Sequence, residues 1–278
     1  MIAGRFVAGT TIASALDVVR ALNDEGMTAA LDFLGEDVAS PDQARRTRDS
    51  YLAVIDAVGT AGVRANVSLK LSALGLLIDP ELAYAHLCRI LESARTLPDP
   101  FVRIDMEGSA LVEATLSTFV RAFRSYSNVG PVLQAYLHRT GSDVLHMITL
   151  GARVRLCKGA YNERPAIALR DPNLVRERYS AFAAELLQHG NHPAFATHDR
   201  VLIDDIRRRA TRYGITSDRF EFEMLYGVRP ALQREMVAAG HRVRIYVPFG
   251  THWQRYFWRR IRERRENALF ALRSLLGR

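Results

Sequence analysis

Residues 194–224 have the sequence AFATHDRVLIDDIRRRATRYGITSDRFEFEM, and this stretch decides the fold. The short apolar run at residues 194–197 predicts a strand, the periodic pattern at residues 200–213 predicts a helix, and residues 219–224 predict a second strand. Since a single helix separates the two strands, we expect them to be parallel neighbours in one sheet.

The same alternation of strand and helix continues from residue 28 to the C terminus and occurs eight times. Pro41, Pro80 and Pro230 stand where predicted helices begin, which suits the fixed φ angle and the missing N–H of proline. The predicted strands are residues 29–34, 65–71, 101–106, 132–137, 153–157, 194–197, 219–224 and 242–247. The predicted helices are residues 41–58, 80–96, 110–126, 141–149, 173–189, 200–213, 230–239 and 251–275.

Eight such units predict a closed (βα)8 barrel of the TIM type, in the α/β class, as a single domain over residues 1–278. An open doubly wound sheet is the alternative. Such sheets normally carry a glycine-rich phosphate turn after the first strand, and residues 34–37 (LGED) do not have that pattern. Residues 5–25 predict an extra N-terminal amphipathic helix that packs on the barrel.

The composition narrows the class of protein. A chain of 278 residues with 48% hydrophobic residues can bury a large core. Cys88 and Cys157 lie far apart and supply neither a disulfide framework nor zinc-ligand spacing, which favours a reducing compartment. No signal-peptide pattern and no apolar run of about 18 residues is present, so we expect a cytoplasmic protein. The net charge of +8 admits nucleic acid, an anionic membrane or acidic ligands as partners, and charge alone does not choose among them.

Polar residues end most of the predicted strands, at the side of a barrel where active sites lie. One lysine or glutamine at such a position is more often simply solvated, but so many at one mouth indicate a bound ligand. Because Lys70, Arg155 and Lys158 are cationic, we expect that ligand to carry a carboxylate or phosphate. The strand-end residues are Lys70, Asp105, Glu107, Gln134, Arg155, Lys158, Thr197, His198, Glu223 and Tyr246.

The last predicted helix carries a second polar cluster. Tyr256, Arg259, Arg260 and Glu263 share one helical face, where Glu263 can pair with Arg259 and the two arginines can grip a carboxylate. The alternative is a solvated salt-bridge ladder, which the neighbouring arginines at positions 262, 264 and 265 make credible. Spacing alone leaves both interpretations open.

Other kinds of site have less support. His198 and Asp199 have no further ligands at metal-binding spacing, and Ser68 and Ser72 have no histidine close in sequence, so neither a metal nor a serine nucleophile is expected. Nucleic-acid binding would need a basic stripe with interleaved aromatic residues. Only residues 251–265 (THWQRYFWRRIRERR) qualify.

Taken in order, the strand ends resemble those of the proline dehydrogenase family. The most specific patterns are the arginine, lysine, glycine and tyrosine spacing of residues 154–161 and the paired arginines of residues 256–263. The matching segments are VSLKLSAL (67–74), IDME (104–107), LQAY (133–136), VRLCKGAY (154–161), ATH (196–198), FEMLYG (222–227), RIYVPFG (244–250) and YFWRRIRE (256–263).

The resemblance implies a distorted (βα)8 barrel whose last helix lies over the barrel mouth. It also implies that the chain oxidises L-proline to Δ1-pyrroline-5-carboxylate with FAD. In that family, hydride passes from proline C5 to flavin N5, and the electrons go on to a membrane quinone.

The resemblance also assigns roles to residues. Lys70, Arg259 and Arg260 are expected at the proline carboxylate, and Glu263 is expected to orient Arg259. The residues expected at the catalytic centre are Asp105, Arg155 and Tyr246. Those expected to bind proline are Lys70, Tyr161, Leu225, Tyr246, Tyr256, Arg259, Arg260 and Glu263. Those expected to bind FAD are Met106, Gln134, Arg155, Lys158, Gly159, Ala160, Thr197 and His198.

Two positions depart from the family pattern without touching its central residues. Asn162 stands where a bulky aromatic residue often follows the tyrosine, and Glu223 stands at a position that can hold an amide. Either residue could alter the lining of the site. Tyr246 favours proline over hydroxyproline as substrate, because relatives that prefer the hydroxylated ring have a smaller residue there.

The expected partners follow from the same resemblance. The chain ends at Arg278 without an aldehyde dehydrogenase module, so it resembles the monofunctional bacterial form, and a separate Δ1-pyrroline-5-carboxylate dehydrogenase is expected downstream. The quinone acceptor and the basic charge suggest peripheral contact with the inner face of the membrane, and nucleic acid is not an expected partner. Two rival hypotheses are a flavin-free aldolase-type barrel with Lys70 as a Schiff-base lysine and a basic module that binds nucleic acid or a membrane.

Overall fold

Eight parallel strands close into a barrel in chain order, with the last strand pairing with the first. This architecture is that of a computed structural model, which describes residues 6–35 and 38–254. The prediction of a (βα)8 barrel is confirmed, and the open doubly wound sheet is excluded. The strands are β1 (Thr28–Phe33), β2 (Ala65–Leu69), β3 (Val102–Ile104), β4 (Val129–Gln134), β5 (Arg155–Cys157), β6 (Ala194–Ala196), β7 (Glu221–Leu225) and β8 (Val243–Phe249).

A helix follows each of the strands β1 to β7, and one more helix precedes the barrel. Four barrel helices have proline within the first two positions, as the sequence predicts at residues 41, 80 and 230, and the fourth is at residue 172. Ser40, Asp79, Asp171 and Asp199 cap helix starts by accepting hydrogen bonds from backbone N–H groups. The helices are α1 (Ile12–Asp24), α2 (Pro41–Ala61), α3 (Pro80–Ala94), α4 (Ser109–Phe123), α5 (Thr140–Thr149), α6 (Pro172–His189), α7 (Arg200–Arg212) and α8 (Pro230–Ala238).

The N-terminal helix begins later than predicted. It packs against β1 and β8 through an apolar face, but it starts at Ile12, so residues 6–11 do not belong to it. Thr11 accepts a hydrogen bond from the Ser14 backbone N–H at 3.2 Å, and Gly9 has a φ of 81°. A capped residue and a left-handed glycine both stop a helix from extending towards the N terminus.

Strand β4 begins three residues earlier than predicted and ends three residues earlier. Pro131 lies inside the strand although proline lacks the N–H that a ladder needs. In the structure Pro131 lies opposite Ile104 of β3, and Gly130 lies opposite Arg103. A Cβ atom at position 130 would stand 2.1 Å from the Arg153 carbonyl oxygen, so the close approach of β4 to its neighbour requires glycine there.

The layer between strands and helices is apolar and is pinned by two buried tyrosines. The Tyr51 hydroxyl of α2 donates to the Ser68 carbonyl of β2 at 3.0 Å, and the Tyr179 hydroxyl of α6 donates to the Leu156 carbonyl of β5 at 3.1 Å. Each phenol thus fixes one helix at a defined height on the barrel.

The inside of the barrel is charged. Arg244 of β8 makes two hydrogen bonds of 3.0 Å to Glu221 of β7 and lies 2.7 Å from Asp99. Arg103 of β3 lies 3.9 Å from Glu223 of β7, across the barrel. Burial lowers the pKa of Arg103 to about 9. Barrels of this kind usually fill their centre with branched aliphatic residues, so these buried ion pairs are a departure from the ordinary core.

Two further expectations concern helices and membranes. The part of the last predicted helix that carries Tyr256, Arg259, Arg260 and Glu263 lies outside the described residues. Within residues 6–35 and 38–254, no helix combines the length and the apolar character that crossing a membrane requires.

Candidate active site

A cavity of about 340 Å³ lies at the carboxyl ends of the strands. Every site residue predicted within the described part of the chain lines it: Lys70, Asp105, Met106, Gln134, Arg155, Lys158, Gly159, Ala160, Tyr161, Thr197, His198, Leu225 and Tyr246. The other lining residues are Val132, Cys157, Ala196, Asp199, Glu223 and Met224. Glu107, expected at the mouth, is absent from this lining. Its carboxylate instead accepts hydrogen bonds from the Ser72 hydroxyl at 2.6 Å and the Ser72 backbone N–H at 3.2 Å.

Asp105 is the centre of the polar cluster. The Tyr246 hydroxyl donates to Oδ2 of Asp105 at 2.7 Å, while Ser68 and Arg155 donate to Oδ1 at 2.8 and 2.6 Å. Burial by itself would raise the pKa of Asp105, but Arg155, Lys70 and the two hydroxyl donors together lower it below its ordinary value. Asp105 is therefore an ionised carboxylate at neutral pH.

Lys70 is held by a residue that the sequence analysis missed. Its Nζ atom lies 3.2 Å from both carboxylate oxygens of Asp32 and 3.7 Å from Oδ2 of Asp105. Asp32 is buried in β1, inside the run TAALDF. The signal that could have found it is its place next to last in the first strand, since no polar residue was collected from that strand.

Arg155 links the cavity to the charged interior of the barrel. Its Nε atom lies 2.5 Å from Oε2 of Glu223, and its Nη1 atom bonds Asp105. Burial would lower the pKa of Arg155, but Glu223 and Asp105 raise it above its ordinary value. Burial raises the pKa of Glu223, and Arg155 opposes that shift. The Nη2 atom of Arg155 is buried and has no hydrogen-bond partner among the described residues.

Lys158 and Arg176 converge on one oxygen of Asp199. Their Nζ and Nε atoms lie 2.6 and 2.9 Å from Oδ2 of Asp199, whose other oxygen caps α7 at the Val201 N–H. Burial would raise the pKa of Asp199, but these two cations lower it to about 2. Lys158 and Asp199 line the cavity, and Arg176 approaches the same carboxylate from outside that lining, beside the start of a helix.

His198 is fixed in one neutral form. Its Nε2 atom accepts a hydrogen bond from the Leu225 backbone N–H at 3.0 Å, so the ring proton resides on Nδ1. Burial, with a smaller contribution from Arg229, lowers the pKa of His198 to about 4. At neutral pH the imidazole is a hydrogen-bond donor without charge.

Gly159 lets the backbone approach a tyrosine. Its φ is 114°, and a Cβ atom there would stand 2.2 Å from Cδ1 of Tyr136. Any other residue would need both a left-handed conformation and displacement of that ring. Gln134, across the same wall, donates from Nε2 to the Glu107 carbonyl at 3.0 Å.

Metal binding finds no support in the described part of the chain. Residues 6–35 and 38–254 contain no group of three or more histidine, cysteine, aspartate or glutamate side chains that could hold an ion. The predicted carboxylate-gripping residues Tyr256, Arg259, Arg260 and Glu263 fall outside those ranges, so their contribution to the cavity stays a prediction.

Comparison with known proteins identifies the family. A family model described as "Proline dehydrogenase" matches residues 15–273. The chain belongs to the proline dehydrogenase family. The family that the strand-end segments resemble is thereby confirmed over nearly the whole sequence.

Curated proline dehydrogenases resemble the chain along almost its full length. "Proline dehydrogenase 1" of Bacillus subtilis (strain 168) is 40% identical over 274 residues, which are 99% of this chain and 90% of the relative. "Proline dehydrogenase" of Deinococcus radiodurans is 38% identical over 280 residues, again 99% of this chain and 90% of the relative. The "Bifunctional protein PutA" of Escherichia coli (strain K12) is 30% identical, but the match spans only 24% of that longer protein.

Solved structures support the fold. Proline utilization A (PutA) from Bdellovibrio bacteriovorus, inactivated by N-propargylglycine, superposes with a TM-score of 0.88 over 94% of this chain and 32% of that chain. Its sequence is 24% identical, so the likeness supports the barrel and not the roles of particular residues.

Proposed function

We propose that this member of the proline dehydrogenase family oxidises L-proline to Δ1-pyrroline-5-carboxylate with FAD, by hydride transfer from proline C5 to flavin N5. The observation that carries the proposal is the cluster around Asp105, in which Lys70, Arg155 and Tyr246 meet at one cavity. These four residues lie in or directly after four different strands. The family resemblance assigns all of them to the catalytic centre or the substrate.

The residues present fit a flavin. Arg155 has buried donors without a hydrogen-bond partner among the described residues, and His198 is a neutral donor at the same cavity. When bound, FAD would accept the two electrons and the hydrogen that leave proline. The residues we propose to hold it are Met106, Gln134, Arg155, Lys158, Gly159, Ala160, Thr197 and His198.

Lys158 lines the cavity and, with Arg176 beside it on Asp199, is suited to phosphate. Both are cations, and the single Asp199 carboxylate between them offsets only one of the two charges. A diphosphate such as that of FAD would find complementary charge here. The cationic residues at the strand ends also favour an anionic ligand, which agrees with a diphosphate beside Lys158.

The substrate end of the cavity is organised around Lys70. Its ammonium group would bind the proline carboxylate, with Arg259 and Arg260 of the last predicted helix completing the grip. Tyr161, Leu225 and Tyr246 would wall the ring, with Tyr256 beside them and Glu263 orienting Arg259. Orientation of this kind can lower a reaction barrier by several kcal/mol, because the reacting atoms are held at attack distance.

Hydride transfer requires an uncharged amine, because only the unprotonated amine of proline can give up hydride from C5. Lys70 and Arg155 disfavour a second cation beside them, and the carboxylates paired with these two residues offset part of that effect. The oxygens of Asp105 already accept hydrogen bonds from Ser68, Arg155 and Tyr246. Asp105 would thus orient Tyr246 against the substrate ring.

The rival hypothesis of a Schiff-base lysine is disfavoured by the surroundings of Lys70. A nucleophilic lysine must lose its proton, and lysines that do so lie in apolar pockets or beside other cations. Lys70 instead lies within 3.7 Å of two carboxylates, Asp32 and Asp105. Both stabilise the charged ammonium form.

The further partners belong to the same proposal. We propose that electrons leave FAD for a membrane quinone and that a separate Δ1-pyrroline-5-carboxylate dehydrogenase takes the product. This fits a cytoplasmic protein in peripheral contact with the membrane, for which the net charge of +8 is the supporting observation. Binding to vesicles that contain anionic lipid, weakened by salt, is the expected result; no binding at low salt would contradict it.

The deciding experiment is a flavin spectrum followed by a proline titration. Protein purified and supplied with FAD should show the yellow flavin absorbance, and L-proline added without oxygen should bleach it. Trans-4-hydroxy-L-proline, which adds only a hydroxyl to the ring, should bleach it far more slowly. Absence of bound flavin would refute the proposal, and trapping of Lys70 by borohydride with a carbonyl substrate would favour the aldolase instead.

A further inference from the structure

Glu223 is a buried carboxylate at the cavity for which the family resemblance supplies no role. It occupies the middle of β7, is 3% exposed and lines the cavity. Its neighbour two residues earlier, Glu221, points into the same barrel interior one pleat lower and pairs with Arg244. The two glutamates are chemically identical, but only Glu223 reaches the cavity.

Glu223 lies between two buried guanidinium groups. Oε2 is 2.5 Å from Nε of Arg155, and Oε1 is 3.9 Å from Nη2 of Arg103. Oε1 has no hydrogen-bond partner among the described residues. The Glu223 carboxylate therefore pairs mainly with Arg155. Arg103 is a more distant positive charge inside the barrel.

The Arg155 guanidinium is held at two points by two carboxylates. Glu223 contacts Nε on one side, and Asp105 accepts from Nη1 at 2.6 Å on another. The Nη1 contact is a hydrogen bond and the Nε contact is an ion pair without hydrogen-bond geometry, and together they restrict rotation of the guanidinium plane. Removing Asp105 or Glu223 would release that plane.

The charges of the cluster balance. Three carboxylates (Asp32, Asp105 and Glu223) face three cations (Lys70, Arg155 and Arg103) through ion pairs of 2.5 to 3.9 Å. Neutralising Glu223 would leave one uncompensated positive charge at a residue that lines the cavity. Charge near a flavin changes the energy of its reduced form, which is more negative than the oxidised form.

We propose that Glu223 is a positioning residue: it fixes the Arg155 guanidinium plane and offsets its charge, and thereby lowers the reduction potential of the bound flavin. This inference rests on the proposed function, since it requires FAD beside Arg155. Position 223 is one at which this sequence departs from the family pattern. The glutamate found there, rather than an amide, would then help to set the reduction potential of the flavin.

The test compares three variants of the FAD-loaded protein, with the flavin midpoint potential as the main measurement. Glu223→Gln keeps the shape and removes the charge, and should shift the potential to a more positive value. Glu221→Gln makes the same change two residues earlier, beside Arg244 and away from the cavity, and should leave the potential unchanged while lowering the thermal unfolding midpoint. An unchanged potential in Glu223→Gln, or an equal shift in both variants, would overturn the proposal.

Glu223→Asp separates charge from orientation. The shorter side chain keeps the negative charge but withdraws it from Nε of Arg155, so the potential should stay near that of the wild type. The rate constant for flavin reduction by proline should fall by about tenfold or more, because misplacement by about 1 Å can cost up to about 100-fold, while the KM for proline stays unchanged. A wild-type rate in Glu223→Asp would refute the positioning role, including where Glu223→Gln fails to fold.

Different results would refute the proposed function and the proposed role of Glu223. If the wild-type protein binds no flavin, the proposed function is refuted and the role of Glu223 falls with it. If the wild type binds flavin and proline bleaches it, but Glu223→Gln has the wild-type potential, only the role of Glu223 is refuted.

Discussion

The Tyr246 hydroxyl, on the last strand of the barrel, donates a 2.7 Å hydrogen bond to Oδ2 of Asp105, directly after the third. The contact joins a residue proposed to wall the substrate ring to the carboxylate at the centre of the charge cluster. Arg155 adds a second link, since its guanidinium carbon lies 5.4 Å from the centre of the Tyr246 ring. The hydrogen bond therefore links the position of the Tyr246 side chain to the charge of the Asp105 carboxylate.

Replacing Tyr246 by phenylalanine tests that hydrogen bond. The ring and its contact with Arg155 remain, but a donor to a charged acceptor is lost, and such bonds contribute about 1.5–3 kcal/mol. We expect kcat/KM for proline to fall by about tenfold or more. Tyr84→Phe on the outer helix α3 is the control and should have wild-type kinetics. Wild-type kcat/KM in Tyr246→Phe would show that the bond has no catalytic consequence.

The paired arginines of the last predicted helix can be tested by function. Arg260→Ala should weaken proline binding strongly and leave the FAD content intact, because Arg260 is proposed to bind only the substrate carboxylate. On a helix of about 3.6 residues per turn, Arg265 lies opposite Tyr256, so Arg265→Ala is the matched control and should bind proline normally. Equal affinity in Arg260→Ala and wild type would contradict the assignment.

The low pKa of His198 predicts that the folded protein loses stability in acid. Its pKa is about 4 in the folded protein and 6.5 ordinarily, so between these values the unfolded chain binds a proton that the folded protein does not. Stability should therefore fall as pH drops from about 6.5 to 4, by up to about 1.4 kcal/mol per pH unit from this residue. The loss stops below the folded pKa, and no change arises from His198 above pH 7.

Urea unfolding at several pH values measures this effect. His198→Gln keeps an acceptor for the Leu225 N–H but does not titrate, so its stability should fall less steeply with acid than that of the wild type. His146→Gln, an exposed change on α5, should retain the wild-type slope. Identical slopes for His198→Gln and wild type would refute a buried neutral imidazole.

Gly159→Ala tests the close approach of the backbone to Tyr136. The change imposes a left-handed alanine, at about 1–2 kcal/mol, and a collision with the tyrosine ring. Gly151→Ala is the control, because that glycine also has a positive φ, of 70°, but its Cβ would meet nothing within 4 Å. We expect the first variant to be clearly less stable and to bind FAD less tightly than the second. Equal unfolding midpoints would indicate that the ring yields without cost.

The sequence predicted the barrel and the strand-end residues because both leave local signals. Alternation of periodicity defines parallel strands, and polar residues after apolar runs stand out at strand ends. The boundaries of the strands and helices were predicted less accurately. Pro131 lies inside β4 although proline lacks a donor, and Gly9 and Thr11 start α1 seven residues later than predicted.

The contacts within the site were not accessible from sequence. Asp32 and Lys70 are 38 positions apart, and Arg155 and Glu223 are farther still, so only closure of the barrel brings them together. Glu107 shows the converse. It follows β3 as Asp105 does, two residues further on, yet it bonds Ser72 instead of lining the cavity, because the alternation of a strand no longer sets the direction of a side chain beyond Ile104.

The charged interior of the barrel has a consequence for how this protein can change over evolutionary time. An aliphatic core accepts many substitutions of similar volume, but a buried ion pair loses several kcal/mol when one partner alone is replaced. Arg103, Arg155, Glu221, Glu223 and Arg244 should therefore vary in matched combinations rather than singly. The same side chains that stabilise the centre of the barrel also reach the cavity through Arg155, so the strength of the fold and the chemistry of the site cannot be adjusted independently.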